Sequence, residues 1–334
     1  MDEELLKVIR QLKDEILFIL TSYNMADETH AKRAIERIND LFDKLGIVIE
    51  DVIPPVILQA YMSGTAGAVL GASLYAVTEL TDNVMLDLKA AIRTAKLNTN
   101  ESIMTALSEI QSELQAGVAS AAKKRKVTAK VAESFAEHGM TSFVTSDGKN
   151  LPLDFYSEVV TRTNMQNAEN RGKVDWIEDN GGDLVIINGV TPTCRHCYAH
   201  RGVVFSISGK DERFPKLTQE RTPPYHPNCM CCVEEYKEDE LDDRYVQADI
   251  ERAEAFNPEV DRRPDNIKNA YDKRQARLRR ENYEKKRYVK IAAVVGEENM
   301  PANLAAFRRM KRGNTANYQK LLKTYQAKLK EDIN

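Results

Sequence analysis

Cysteine is missing from most of this 334-residue chain, since all five thiols fall between Cys194 and Cys232. Crowding of that kind argues against thiols scattered as core filler. The opening MDEELLKVIR lacks the basic-then-apolar pattern of a secretory leader. A reducing, intracellular origin is therefore expected, which disfavours disulfides. Charge is absent from Val52 to Thr78, a stretch long enough for a bilayer and containing Gly67-x-x-x-Gly71. Pro54-Pro55 interrupts that run, and its many Ala, Gly, Ser and Thr residues add little transfer free energy. A buried helix of an all-α region is the expectation there, and a membrane partner is not. Helix-interior glycine and proline are scarce in the first 140 residues, and no repeat of solenoid length is evident. Also missing is any pattern of catalytic carboxylates, nucleophile and base.

What is present begins with an uneven charge distribution. The formal net charge is −3, with 30% charged and 42% hydrophobic residues, an ordinary soluble composition. Residues 241–334, however, carry 22 Lys and Arg against 15 Asp and Glu, while residues 1–240 are acidic. The basic end is what bears on a polyanionic partner, and the whole-chain balance hides it.

Hydrophobic spacing predicts helices first. Leu5, Ile9, Leu12, Ile16 and Ile19 recur at 4-3-4-3, and Ala31, Ile35, Ile38, Phe42 and Leu45 form a second stripe with Asp27 as N-cap. Asn100 is expected to cap a further helix carrying Met104, Leu107, Ile110 and Leu114, with Gly117 ending or bending it. Another helix runs through Val127, Val131 and Phe135 to a stop at Gly139. Ser146–Asn150 reads as a turn-rich linker, and 153–171 as a helix stopped by Gly172. Leu184–Ile187 and Val203–Ile207 read as short strands, with Cys194–Cys197 in the turn between them and a third strand at 232–236. The fold class expected is mainly α with a small α+β zinc-knuckle-like core domain, a helical N-terminal domain and an extended basic helical C-terminal tail. The corresponding segments are 1–145, 146–240 and 241–334.

The cysteines form the strongest chemical signal. Cys194-Arg-His-Cys197 has the two-residue gap that lets both thiolates of a tight turn face one ion. His226-Pro-Asn-Cys229 repeats that gap with an imidazole in first place. Four soft or borderline donors in two such pairs suit tetrahedral Zn²⁺. They also complete a closed site, so the metal is expected to be structural, clamping a segment with few apolar residues. Cys231 is the substitute for Cys229. In the basic end, Arg274, Arg277, Arg279, Arg280, Lys285, Lys286 and Arg287 lie on one predicted helix, and Tyr271, Tyr283 and Tyr288 are interleaved with the Lys and Arg of Ile267–Lys290. Such a helix reads either as a solvated surface or as a sequence-independent contact to double-stranded DNA.

These residues resemble a family. Cys194-x-x-Cys197, then Gly202-Val-Val-Phe205, then Pro223-Pro-Tyr-His-Pro-Asn-Cys229-x-Cys231 is similar to the head-morphogenesis domain of tailed-phage minor capsid proteins. That family includes the Mu-like head proteins and the minor capsid proteins of phages of Gram-positive bacteria. Arg162-Thr163 and Asn170-Arg-Gly172 match the helix that precedes the cysteines in such proteins, and the likeness covers about 154–236. Met230 departs from the basic residue usual between the last two cysteines, and Cys232 adds a vicinal thiol. Either Cys229 or Cys231 can therefore complete the ligand set. The resemblance implies a non-enzymatic minor head component inside the procapsid, partnered by the portal and by capsid or scaffolding protein. Such a component can leave with the DNA at infection, so its expected locations are the virion and, during assembly, the host cytoplasm.

Two other classes compete. A metal-dependent nuclease would use His196, His200 or His226 with Asp211-Glu212, beside a catalytic metal separate from any structural zinc. His196 and His200 read more simply as exposed loop residues. A membrane-active ejection protein would use Val52–Thr78.

Overall fold

Leu5, Ile9, Leu12, Ile16 and Ile19 are all buried along helix α1 (Glu3–Ser22), as their spacing requires. The coordinates are a computed structural model, which describes residues 3–23, 27–115 except 69 and 72, 135, 140–144, 150–296 except 192, and 299–331. Helix α2 (Glu28–Gly64) begins where expected, with the Asp27 carboxylate accepting the His30 N–H at 2.9 Å. Ala31, Ile38, Phe42 and Leu45 are buried along it.

The sequence misleads at Pro54-Pro55, because α2 continues through both. An interior proline costs about 3 kcal/mol. Against that, Ile49, Ile53, Ile57 and Tyr61 are fully buried on one face, each contributing about 1.5–3 kcal/mol. Pro55 is exposed, as are Glu50 and Asp51, whose carbonyls lose their helical partners and can turn to water. The uncharged stretch is thus not one buried helix. It is the end of α2, a turn and the start of α3 (Ser73–Gln115). Ala66 and Gly67 adopt positive φ in that turn, and the Ser73 hydroxyl accepts the Leu70 N–H at 2.9 Å. Among the described residues no helix is long and apolar enough to cross a membrane.

Asn100 does not start a helix either. It lies inside α3, where its amide donates to Asn39 Oδ1 at 2.8 Å, and Lys96 pairs with Asp43 at 2.7 Å. These links to α2 hold Asn100 within the helix although its side chain favours a cap. The buried face is Ala95, Thr99, Ile103, Ala106 and Leu107, and Met104 is exposed. Side-chain burial at Ile110 and Leu114, and the fate of Gly117, lie outside the described residues. So does the helix expected through Val127 and Val131 to Gly139, apart from Phe135, which is helical and buried. Most of the expected linker at 146–150 is likewise outside. Its flanks β1 (Thr141–Val144) and β2 (Asn150–Pro152) pair antiparallel.

Helix α4 (Leu153–Asp179) runs past Gly172, which does not stop it. A Cβ on Gly172 would lie 2.3 Å from the Tyr61 carbonyl oxygen, and one on Gly64 would lie 2.1 Å from that of Glu169. Both glycines therefore serve the close approach of α2 and α4. The helix ends instead at Gly181, at φ 81°, with the Gly182 N–H returning to the Ile177 carbonyl at 2.8 Å.

Three short strands follow: β3 (Leu184–Asn188), β4 (Val204–Ser206) and β5 (Cys232–Glu235). They form an antiparallel sheet in the order β4-β3-β5. Val185, Ile187, Val204, Phe205 and Val233 are fully buried in a core that also takes in Val174 and Ile177 of α4, and Phe214 and Tyr236. This core is richer than the sequence suggested. Helix α5 (Arg195–His200) lies between β3 and β4, and α6 (Asp243–Glu254), α7 (Asp265–Val295), α8 (Leu304–Arg312) and α9 (Ala316–Glu331) follow the sheet. Ile291, Val295, Phe307, Tyr318 and Leu321 form a small apolar cluster where α7, α8 and α9 meet.

The molecule is thus mainly helical with a small antiparallel sheet. It divides into two compact units: Met1–Leu5, Ile47–Lys89 and Ser157–Gln275 form one, and Leu6–Gly46, Ala90–Tyr156 and Ala276–Asn334 the other.

Candidate metal centre

The first thiol pair does not sit in a plain turn. Cys194 caps a short helix, α5 (Arg195–His200), and its sulfur accepts the Cys197 N–H at 3.4 Å. One helical turn then brings Cys197 back beside Cys194. The second pair sits on a tight turn in which the Cys229 N–H meets the His226 carbonyl at 3.0 Å, with Asn228 at φ 63°. Asparagine is among the few residues that tolerate that conformation.

These two turns bring the donors together. His226 Nε2 lies 3.2 Å from Cys194 Sγ and 3.1 Å from Cys197 Sγ, and Cys197 Sγ lies 3.6 Å from Cys229 Sγ. Cys194, Cys197 and His226 form one potential metal-binding triad, and Cys197, Cys229 and Cys231 another, so Cys197 belongs to both. All five cysteines are free thiols. The vicinal pair divides where β5 begins. Cys231 is buried in the cluster, whereas Cys232 is half-buried with its sulfur 3.7 Å from Glu234 Oε1. Gly189 makes room for Cys231, since a Cβ there would lie 3.1 Å from its sulfur.

The donor set fits a soft or borderline divalent ion. A tetrahedral site with Zn–S bonds near 2.3 Å separates its sulfurs by about 3.8 Å, close to the spacing found. His226 Nδ1 donates to the Pro227 carbonyl at 2.8 Å, which leaves Nε2 with its lone pair towards the sulfurs. Orientation of a ligating imidazole through its other nitrogen is a recurrent feature of metal sites. Electrostatics instead favour an imidazolium beside a thiolate, so a cation bound here would have to displace the Nε2 proton. Hydrogen bonding with Cys197 holds Cys194 and Cys229 well below the usual thiol range, and the same contacts push Cys197 up. His226 is raised to about 9, first by its hydrogen bond with Cys194. Packed this closely, the thiols cannot all ionise without a cation among them.

Other segments brace the cluster. Asn170, buried on α4, donates to the Pro223 and Cys231 carbonyls at 3.1 and 3.3 Å and accepts the Val233 N–H at 3.0 Å. Arg263 donates to the Thr193 carbonyl at 3.2 Å while paired with Asp261 at 2.9 Å. Asn170 belongs to the Asn170-Arg-Gly172 stretch of the resemblance, but neither its tether nor that of Arg263 is visible in the sequence. A polar residue on the same helix face as Val174 and Ile177 was the available signal for Asn170.

The histidines of the nuclease reading are placed otherwise than expected. His196 is exposed, but on α5 rather than in a loop. His200 is buried, stacked on Tyr225 at a centroid distance of 4.1 Å and edge-on to Phe256 at 5.0 Å. Burial lowers its pKa, so it is held neutral as a core aromatic. Asp211 is engaged by Arg213 at 2.7 Å. Among the described residues, the two Cys/His triads are the groups of three or more potential metal ligands. A cleft of about 660 Å³ beside α4, lined in part by Asn83, Asn164, Arg171 and Glu178, holds no histidine or thiol.

Of the seven basic residues, Arg274, Arg277, Arg279, Arg280, Lys285 and Lys286 are exposed and Arg287 is half-buried, all on α7. Arg280 aligns with Arg287, and Arg279 with Lys286, so the cationic surface wraps widely around the helix. The Tyr288 hydroxyl donates to the Pro301 carbonyl at 3.0 Å, and its ring packs on Phe307, so that tyrosine is structural. Tyr283 is exposed beneath the Lys311 ammonium, 5.3 Å from its centroid.

A family model described as phage minor capsid protein 2 matches residues 19–227, more than half of the chain. The match takes in most of the N-terminal helices as well as the first cysteine pair. No curated protein and no solved structure matches the chain.

Proposed function

The chain belongs to the phage minor capsid protein 2 family, and from that premise we propose that it is a structural component of the phage head, bound at the portal inside the procapsid. Three segments divide the work. Residues 1–145 supply helical surface for capsid, scaffolding or portal protein. Residues 146–240 form a zinc-clamped unit, and residues 241–334 carry a basic helix to the packaged double-stranded DNA, with which the protein leaves at infection. During assembly it resides in the host cytoplasm, and afterwards in the virion.

The observation that supports the metal part is the pair of triads sharing Cys197, one with Cys194 and His226 and the other with Cys229 and Cys231; the ligands assigned from them are Cys194, Cys197, His226 and Cys229, with Cys231 as substitute for Cys229. Bound there, Zn²⁺ would supply a closed structural cross-link and no open position for chemistry. The protein's own residues then hold two distant loops together, and the reading assigns no catalytic step. For DNA, Arg274, Arg277, Arg279, Arg280, Lys285, Lys286 and Arg287 offer phosphate contacts without base readout.

Purification of tagged portal from infected cells tests the assembly role. The full-length chain should co-sediment with portal rings or procapsids, in amounts well below the major capsid protein. Its recovery only as free protein, with rings and procapsids devoid of it, would overturn the reading.

A further inference from the structure

Three ligand candidates, His226, Cys229 and Cys231, sit on one stretch between Pro223 and Val233, and most of that stretch lacks regular structure. One side chain grips both of its ends. The Asn170 amide donates to the Pro223 carbonyl on the entering side and to the Cys231 carbonyl on the leaving side, and accepts the Val233 N–H where β5 begins. Asn170 is fully buried on α4, more than fifty residues away in sequence. All three of its hydrogen bonds go to the backbone of the ligand loop. A second α4 residue, Arg162, reaches the same loop at Asn228 Oδ1, 3.0 Å away, but from the surface.

We infer that Asn170 is the positioning residue of the metal centre, holding the His226–Cys231 loop where its donors meet Cys194 and Cys197. The inference rests on the metal reading above and adds a residue that touches no metal. The chemistry is specific to a carboxamide, because two donors and one acceptor are needed on one planar group. Aspartate has the same shape and keeps the acceptor for Val233, but loses both donors. A buried group that loses such partners, or leaves them unpaired, shifts the loop or strains it. Ligand geometry suffers directly, since outer partners of metal ligands commonly set affinity by ~10-fold or more.

The test compares the full-length parent with Asn170→Asp, and with Asn170→Ser should the first not fold. Zinc affinity is read by competition with a chromophoric chelator, and site geometry by the absorption of the Co²⁺ form. A variant that folds should bind zinc at least ~10-fold more weakly, with an altered Co²⁺ spectrum. Its zinc-induced rise in Tm should also shrink, a readout that a merely structural residue would leave unchanged. Affinity within twofold of the parent and an unchanged spectrum would overturn the inference while leaving the metal site standing. A parent that binds neither zinc nor cobalt removes the metal reading itself, and the role of Asn170 with it. Should neither variant fold, hydrogen exchange at the Val233 amide of the parent decides. Faster exchange on chelation supports the coupling, and unchanged exchange overturns it.

Discussion

The helices within residues 6–46 bury Ile9, Ile16, Leu20, Ile38 and Phe42, while the loops at 189–197 and 222–231 converge on sulfur and imidazole. The first region is held by apolar area at helical spacing, a diffuse term that survives the loss of any one contact. The second has an apolar sheet beneath it, yet its loops are tied by a few directional groups, the Asn170 amide and the Arg263 guanidinium, and they carry five candidate metal donors. One region should weaken gradually with mutation, and the other should open when a single atom is replaced.

Cys197→Ser should give the largest effect, because Cys197 is the donor common to both triads. Metal binding should be lost, and hydrogen exchange should accelerate through the loops around 189–202 and 222–232. Exchange in α1 and the first half of α2 should stay as it was. Equal acceleration in both places would erase the contrast between the regions.

Ile38→Ala makes the reciprocal cut. It removes a fully buried side chain and should cost about 2–5 kcal/mol of stability. Denaturant unfolding should show that loss equally with and without chelator. A loss that appears only in the metal-free protein would mean that the two regions do not differ as described.

Gly172→Ala should have a smaller effect. Its Cβ would press on the Tyr61 carbonyl, and overpacking of this kind costs about 1–3 kcal/mol. Thermal melts of the metal-loaded chain measure it, and an unchanged Tm would show that α2 and α4 can part without strain.

The least effect concerns acid. Hydrogen bonding to Arg263 lowers the Asp261 carboxyl to about 2 from 3.8. A group depressed in the folded state contributes stability that is present above pH 3.8 and lost as pH falls through about 2. Carboxyl resonances followed by NMR should show Asp261 titrating near the bottom of that window. Titration near 3.8 would mean that the Asp261–Arg263 pair does not hold in solution.

Much of the helical architecture was legible because burial imposes a period. Leu5 to Ile19, Ala31 to Leu45 and the three strands follow their apolar spacing. What misled were local stop signals overruled by tertiary contacts. Pro54-Pro55 lie opposite a fully buried face, Asn100 is drawn into an amide pair with Asn39, and Gly172 is a contact point. In each case the partner lies elsewhere in the chain, and spacing along a single segment cannot report it. The clustering of cysteine and histidine was legible because the two pairs are local, with gaps fixed by turn geometry. Asn170, Arg263 and the buried setting of His200 were not, since each depends on segments far apart in sequence.

Metal analysis of the chain, purified without chelator and freed of loosely held ions, decides whether the Cys/His cluster is a metal centre. One zinc per chain should be retained through gel filtration, and Co²⁺ substitution should give the absorption of a tetrahedral thiolate site. Metal content near zero in folded protein, with all five thiols reactive and the ligand loops equally ordered, would contradict that assignment.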